Sequence, residues 1–456
     1  MGFLMSFSNG MRMVLAVFSF AIAGVAQNFP PQAIPPSASE DSAGAPLTLT
    51  LQDALERAKK INPDYHSAVT DFGIAKEDKV QSRANLLPSA NFNTAFAYTE
   101  GNGTSSARFI ANNGVHEYIS QGNVHEEFSF GNVADFRRTQ AAEAVAKARA
   151  EIAARGLVVT VVQSYYGFVI AQRKYATEQR AASEAQRFLD ISQKLEHGGE
   201  VAHSDVIKAQ IQFQQQRRDL QDAELEMNRS RLELAVLVFP NFNENFAVVD
   251  DLQMLEPLPT FDELKAAASK NNPELRAAFA ALRASRQAVS VAWNGFLPTV
   301  TMDYFYGIDA NHFAVNQVDP TSGLLVRNLG YAATAGLSLP IWNWGANRSK
   351  LKQATLQRDQ AQIELSATQR ELLAKTHNLY DEAQTAHTQL QSLQQSAELA
   401  ADSLRLTTMR YQAGEASVLE VVDAQNTLTQ AQNAWNEGQA RYRLSLANLQ
   451  TLTGTL

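Results

Sequence analysis

The chain has 456 residues, 45% of them hydrophobic, enough for one large core or two domains. Its formal net charge is −8 and its basic residues are scattered, which leaves no footprint for nucleic acid. Cysteine is absent, so disulfides, thiolate metal sites, a cysteine nucleophile and an acylated-cysteine anchor are all excluded.

At the N-terminus, Arg12 is the only charge before Glu40, and Met13 to Val25 is an apolar run of 13 residues. Such a run is too short to span a bilayer and reads as the core of an export signal, cleaved after Ala26. A Pro-rich linker over 27–46 follows, with Pro30, Pro31, Pro35, Pro36 and Pro46. No later segment holds 18 consecutive apolar residues, so any membrane passage by the rest of the chain is expected as strands.

The remainder is built twice. Leu51-Gln52-Asp53-Ala54-Leu55 leads to Asn62-Pro63 and then to Leu86-Leu87-Pro88; Phe261-Asp262-Glu263-Leu264 leads to Asn272-Pro273 and then to Phe296-Leu297-Pro298. The prolines are equally spaced in both halves (88 − 63 = 298 − 273 = 25). Gly199-Glu200-Val201-Ala202 likewise parallels Gly414-Glu415-Ala416-Ser417. Duplication with small loop changes is the expected origin, giving repeats over 47–248 and 249–456. Each repeat is predicted to hold a helix pair, two strands, and a long helical hairpin reversed at Gly198-Gly199 or Gly414. The Pro-free stretches permit helices over 136–198 and 347–412. In the second of these, Leu379, Ala383, Ala386, Leu390, Leu393, Ala397, Ala400, Leu404, Thr407 and Tyr411 keep a 4-3 alternation. That spacing is a coiled-coil seam, half of it Ala or Thr so that backbones can approach closely.

The strands are predicted near 90–100, 118–130, 299–309 and 329–339. Phe92, Thr94, Phe96 and Tyr98 alternate with small or polar residues, as do Tyr118 to Phe130, Val300 to Ile308 and Leu329 to Leu339. Alternation over about ten residues with terminal aromatics suits a strand of a membrane barrel. Four strands cannot close such a barrel, for which about eight is the minimum. An open edge in lipid is not viable, so the barrel must be shared between copies. A soluble coiled-coil adaptor or scaffold is the alternative reading, and an adaptor would carry one helical hairpin rather than two.

Leu339-Pro340-Ile341-Trp342-Asn343-Trp344-Gly345, Tyr411-Gln412-Ala413-Gly414-Glu415-Ala416-Ser417 and Glu420-Val421-Val422-Asp423-Ala424-Gln425 carry a resemblance to the TolC family of outer-membrane efflux proteins over Pro46 to Leu456. The resemblance implies an α+β membrane protein: a homotrimer whose 12-stranded β-barrel, four strands per chain, continues into a periplasmic α-helical coiled-coil barrel. It further implies an exit duct in the outer-membrane lipid, working with a periplasmic adaptor and an inner-membrane transporter. The first half departs from the pattern, since Phe130-Gly131-Asn132-Val133 replaces the Pro-Ile-Trp motif.

Beyond the reversal turns lie Asp205 and the pair Glu420 and Asp423, whose i, i+3 spacing sets both carboxylates on one helix face. By resemblance, Glu420 and Asp423 match constriction carboxylates, and Asp205 and Tyr411 match contacts that keep the tip closed. Acids in a helix N-terminal turn also complement the dipole, and that reading stands beside the first. No catalytic constellation occurs, and His116, His125 and His203 lack the i+4 partner of a helical metal site. Neither enzyme chemistry nor a cofactor is expected.

Overall fold

The computed structural model describes residues 47–98, 116–241, 244–253, 257–319 and 322–454. The expected export signal, the Pro-rich linker and positions 99 and 100 of the first predicted strand lie outside the described residues. The first half runs β1 (Leu47–Leu49), α1 (Leu51–Ile61), α2 (Pro63–Ala84), β2 (Ser89–Tyr98), β3 (His116–Phe128), α3 (Phe130–His197) and α4 (His203–Val238). The second starts three residues ahead of the boundary expected at 249 and runs β4 (Phe246–Val248), α5 (Phe261–Asn271), α6 (Pro273–Asn294), β5 (Thr299–Ala310), β6 (Asn316–Val318), β7 (Leu325–Arg327), β8 (Leu329–Ser338), α7 (Ala346–Gln412) and α8 (Val418–Thr453). Helix lengths match between the halves: α2 and α6 have 22 residues each, and α4 and α8 have 36.

The repeated Asn-Pro signature has a local cause. Asn62 ends α1 and starts α2, its side-chain oxygen accepting from the Tyr65 N–H at 2.8 Å while Pro63 opens the helix. Asn272 does the same for α6, accepting from Leu275 at 2.9 Å. Each Asn satisfies an orphan donor, and each Pro sits where its missing N–H costs nothing. At the start of α5, Glu263 closes a capping box with Thr260.

Helix α3 has 68 residues and α7 has 67, each about 100 Å long at ~1.5 Å per residue. Near the strands they pack with α2 and α6; towards the other end they pack with α4 and α8. The predicted seam of α7 is its buried face, with Ala383, Ala386, Leu390, Ala400 and Tyr411 buried. The seam begins earlier than expected, at Ala354, and Leu365 and Leu372 pack against Leu275 and Leu282 of α6. Between Leu372 and Leu379 the buried Thr376 adds one extra step of four. Such a stutter locally unwinds a coiled coil, and here it falls where α7 exchanges α6 for α8.

One helix start differs from expectation. Helix α3 begins at Phe130 rather than Phe136, because the Ser129 side chain accepts from the Gly131 N–H and ends β3 one residue earlier. Phe130 therefore belongs to the helix and not to the alternating row of β3. In the second half, the residues 339–345 separate β8 from α7, with Trp344 at φ 56° and Gly345 at φ 83°. The first half lacks this connector, as the missing Pro-Ile-Trp motif requires.

The four long strands form one antiparallel sheet in the order β2-β3-β5-β8. Its register joins Phe92, Gly122, Tyr306 and Tyr331 in one row, and Val124, Tyr304 and Ala333 in another. All four apolar rows thus share a single face, and nothing among the described residues covers it: Phe92 is 72% exposed and Tyr331 76%. Glu126 lies on that face beside Met302, with one carboxylate oxygen buried and lacking a hydrogen-bond partner. The opposite face is polar, with Asn91, Asn93, Gln121 and Asn123, and the His125 Nδ1 lies 2.7 Å from Asp303.

The waist is held by a small core. Strands β1 and β4 pair in parallel, Leu47 opposite Phe246, joining the beginnings of the two halves. One stretch of α3 is long and apolar enough to cross a bilayer by composition. Its Leu157, Val161, Tyr165, Phe168 and Val169 instead pack under this strand pair with Leu49, Phe246 and Leu252. The buried Tyr165 hydroxyl lies 3.2 Å from the Leu49 carbonyl and 2.8 Å from that of Val249, and accepts from the Val249 N–H at 3.1 Å. Beside it, Arg173 forks onto Asp250 at 2.6 and 2.8 Å, and Arg443 reaches Asp251 at 2.7 Å.

Burial, followed by the nearby Asp251 charge, pushes the Tyr165 phenol from its ordinary 10 up to about 12. The neutral phenol is the form the fold prefers. Its contribution is fully present below about pH 10 and is lost as pH rises towards about 12. Tyr165→Phe should cost about 1–3 kcal/mol at neutral pH by leaving buried backbone groups unpaired. Thermal melts against pH should show lower stability at pH 7 and a shallower loss between pH 10 and 12 than in the wild type.

Candidate functional site at the helical tip

Both long hairpins reverse by the same backbone device. In the first, the Gly199 N–H donates to Glu196 at 2.8 Å and the Glu200 N–H to Leu195 at 2.9 Å. In the second, the Gly414 N–H donates to Tyr411 at 3.0 Å and the Glu415 N–H to Arg410 at 2.8 Å. The six-to-one bond with a left-handed residue inside it is a Schellman ending. Gly199 has φ 76° and Gly414 has φ 75°, a conformation that costs other residues about 1–2 kcal/mol. Gly198 is ordinary helix at φ −75°, and its counterpart is Ala413. Of the three turn glycines, only Gly199 and Gly414 are demanded by the backbone.

The two turns lie at one end of the molecule and share a core. Phe188 and Leu189 of α3, Val206 and Ala209 of α4, Tyr411 of α7, and Val418 and Val421 of α8 form a single buried cluster. Tyr411 is its polar member. Its ring packs on Phe188 with centroids 5.0 Å apart, and its hydroxyl meets Ser192 Oγ at 3.1 Å. Burial raises the Tyr411 phenol above its ordinary value; the Ser192 hydrogen bond opposes this, and the Asp205 charge adds to it. Asp205 is thus within electrostatic range of Tyr411, but its carboxylate pairs with Lys208 at 3.2 Å. Ser192 and Lys208 had no motif to mark them in the sequence.

Glu420 and Asp423 are exposed on the same face of α8. Glu420 does double duty there. Its carboxylate accepts from the Ser417 N–H and faces the Ser417 hydroxyl, both at 3.0 Å, while the Ser417 hydroxyl caps the Glu420 N–H. These bonds to Ser417, with Arg410 at 3.5 Å, hold the carboxyl below its usual range and keep it ionised. The Ser-x-x-Glu spacing was the readable signal for this capping box. Asp423 makes no ion pair among the described residues and is the uncompensated charge of the two. Near the first turn, the His203 Nδ1 lies 2.6 Å from Glu196.

Residues 264–455 match the family described as outer membrane efflux protein. Outer membrane protein TolC of Vibrio cholerae is 24% identical to the chain over 410 residues, 89% of this chain and 91% of that protein. Alkaline protease secretion protein AprF of Pseudomonas aeruginosa is 21% identical over 430 residues, covering 90% and 85%. The CmeC outer membrane channel of Campylobacter jejuni superposes with a TM-score of 0.75 at 17% identity, over 89% of this chain and 85% of that one. The chain is similar to TolC-family outer-membrane efflux proteins over 89% of its length.

The likeness orients the molecule. The family consists of channel proteins whose strands lie in the outer membrane and whose helices stand in the periplasm. The sheet therefore marks the outer-membrane end of the chain, and the shared core of the turns its periplasmic end. Gly199→Ala and Gly414→Ala should each cost about 1–2 kcal/mol in thermal unfolding of the detergent-solubilised protein. Gly198→Ala should be neutral or slightly stabilising, since Ala suits helical backbone better.

Proposed function

We propose that three copies of this chain close one 12-stranded barrel, and that their helices continue it as a periplasmic tunnel. In this reading the tip docks a periplasmic adaptor above an inner-membrane transporter, and cargo leaves through the outer-membrane exit duct. One observation carries the proposal. Among the described residues, the register sets all four apolar rows on one uncovered face, and both outer strands of the sheet keep an unpaired edge. In hydrocarbon such an edge is satisfied only by another strand. The names of AprF and CmeC attach secretion to one relative and an outer-membrane channel to the other.

At the tip, Glu420 and Asp423 would ring the narrowest aperture, with Asp205 and Tyr411 bracing the hairpins around it and the turns at Gly199 and Gly414 facing the adaptor. The local geometry divides the labour between the two acids. Glu420 is tied to Ser417 and Arg410, which leaves Asp423 as the main source of field in the pore. Carboxylate rings concentrate cations.

Tyr304→Arg, in the middle of β5 on the lipid face, should cost about 2–4 kcal/mol near the midplane and deplete the assembled complex in outer-membrane fractions. Full assembly of that variant would count against lipid exposure of the face. In planar bilayers, Asp423→Ala should weaken cation preference severalfold and Glu420→Ala much less. Unchanged selectivity in the double variant would remove both residues from the pore while leaving the channel reading intact.

A further inference from the structure

The apolar face of the sheet carries one group that is out of place in hydrocarbon. Glu126 stands on it beside Met302, between Val124 and Phe128 of its own strand. Among the described residues it makes no hydrogen bond and no ion pair, and one of its carboxylate oxygens is buried. We infer that Glu126 accepts hydrogen bonds from the ammonium of a phospholipid headgroup, at a lipid site on the periplasmic rim of the sheet. The inference rests on the reading that this face meets lipid, and it adds the headgroup class.

Position is the first support. Strand β3 ends at Phe128, so Glu126 lies about 7 Å from the rim at ~3.3 Å per residue. On the β2 side, pairing stops at Ser89 opposite His125, which leaves Pro88 where the partner of Glu126 would stand. On the other side the row continues to Met302 and Ala335. None of these side chains has a hydrogen to donate. A charged residue on a lipid face costs least near an interface, and a cationic donor that meets the carboxylate lowers that cost further. The chain offers no such donor, and the headgroup layer begins at this level.

The second support marks that level. Phe128, Val300 and Leu337 form the last row of the apolar face. Five residues beyond Leu337 (342 − 337), the connector to α7 exposes Trp342 by 76% and Trp344 by 89%. Their rings meet edge to face with centroids 5.9 Å apart, and neither indole N–H has a hydrogen-bond partner among the described residues. Trp293, at the end of α6, is also exposed. Indoles settle at the boundary of a bilayer, with the ring among the chains and the N–H on phosphate or ester oxygens.

Charge supplies the third support. The chain is acidic overall, at a formal −8, yet α7 opens directly beyond the tryptophans with Arg348, Lys350 and Lys352. All three are exposed and none forms an ion pair among the described residues; the first acid of the helix is Asp359. Unpaired cations next to unpaired indoles suit phosphate groups. A carboxylate one row further in suits a primary ammonium. A phospholipid that carries both groups matches the rim. A choline headgroup does not, because its trimethylated nitrogen has no hydrogen to give Glu126.

Two lipids that differ only at that nitrogen therefore test the site. The assembled complex in mild detergent would be incubated with dioleoyl phosphatidylethanolamine or dioleoyl phosphatidylcholine, and the bound lipid counted by native mass spectrometry. The native protein should retain the ethanolamine lipid on the order of tenfold over the choline lipid. Glu126→Gln, which keeps the side-chain shape, and Glu126→Leu, which completes the apolar row, should both erase this preference without changing the mass of the complex. Arg348→Gln with Lys352→Gln should lower retention of the two lipids alike. Equal retention by the native protein, or a preference that survives both changes at Glu126, would overturn the headgroup assignment while leaving the face in lipid. Dissociation of the complex by Glu126→Gln, with the preference intact, would overturn it in favour of a partner on a neighbouring copy. A native chain that needs no detergent and retains neither lipid would overturn the lipid-facing reading itself.

Discussion

An antiparallel sheet of four strands ends in two rows of peptide groups, and in hydrocarbon only another strand can satisfy them. The rest of this structure follows from that constraint. The apolar face is a continuous field of Phe92, Tyr304, Tyr306, Tyr331 and Leu337, which no helix among the described residues covers. Lipid covers the face but cannot hydrogen-bond the edges. On the proposed reading, copies of the chain meet edge to edge, and the helices that follow the strands are carried around the same axis.

Length is the second consequence. Helices of about 100 Å have no single core to bury them, so each is buried piecewise: by α2 and α6 near the strands, and by α4 and α8 towards the tip. The change of partner is written into α7 as the stutter at Thr376, and into the waist as the β1–β4 pair riveted by Arg173–Asp250 and Arg443–Asp251. At the far end the four helices converge on one apolar cluster. The tip is thus a packed object with a few charges on its surface.

Much of this was legible in the residues themselves. The strand rows, the 4-3 seam and the Asn-Pro capping all leave periodic or positional marks, because each repeats a local geometry. Other features leave none. Strands β1 and β4 are three residues each, too short for alternation to show, and they pair across about 200 residues of chain. The Tyr411–Ser192 bond joins positions 219 apart. Glu420 illustrates a different limit. Ser417-x-x-Glu420 announces a capping box, the family resemblance announces a constriction acid, and only the structure shows that one carboxylate already spends its acceptors on Ser417. Phe130 fails for a related reason: its side chain continues the apolar alternation, but Ser129 has already turned the backbone into helix.

The central claim is that the functional barrel does not exist within one chain. Native mass spectrometry of the complex extracted from outer membranes in mild detergent tests it most directly. The account predicts a species with the mass of three mature chains, released from the membrane only by detergent. A folded, water-soluble single chain with its sheet intact would contradict it.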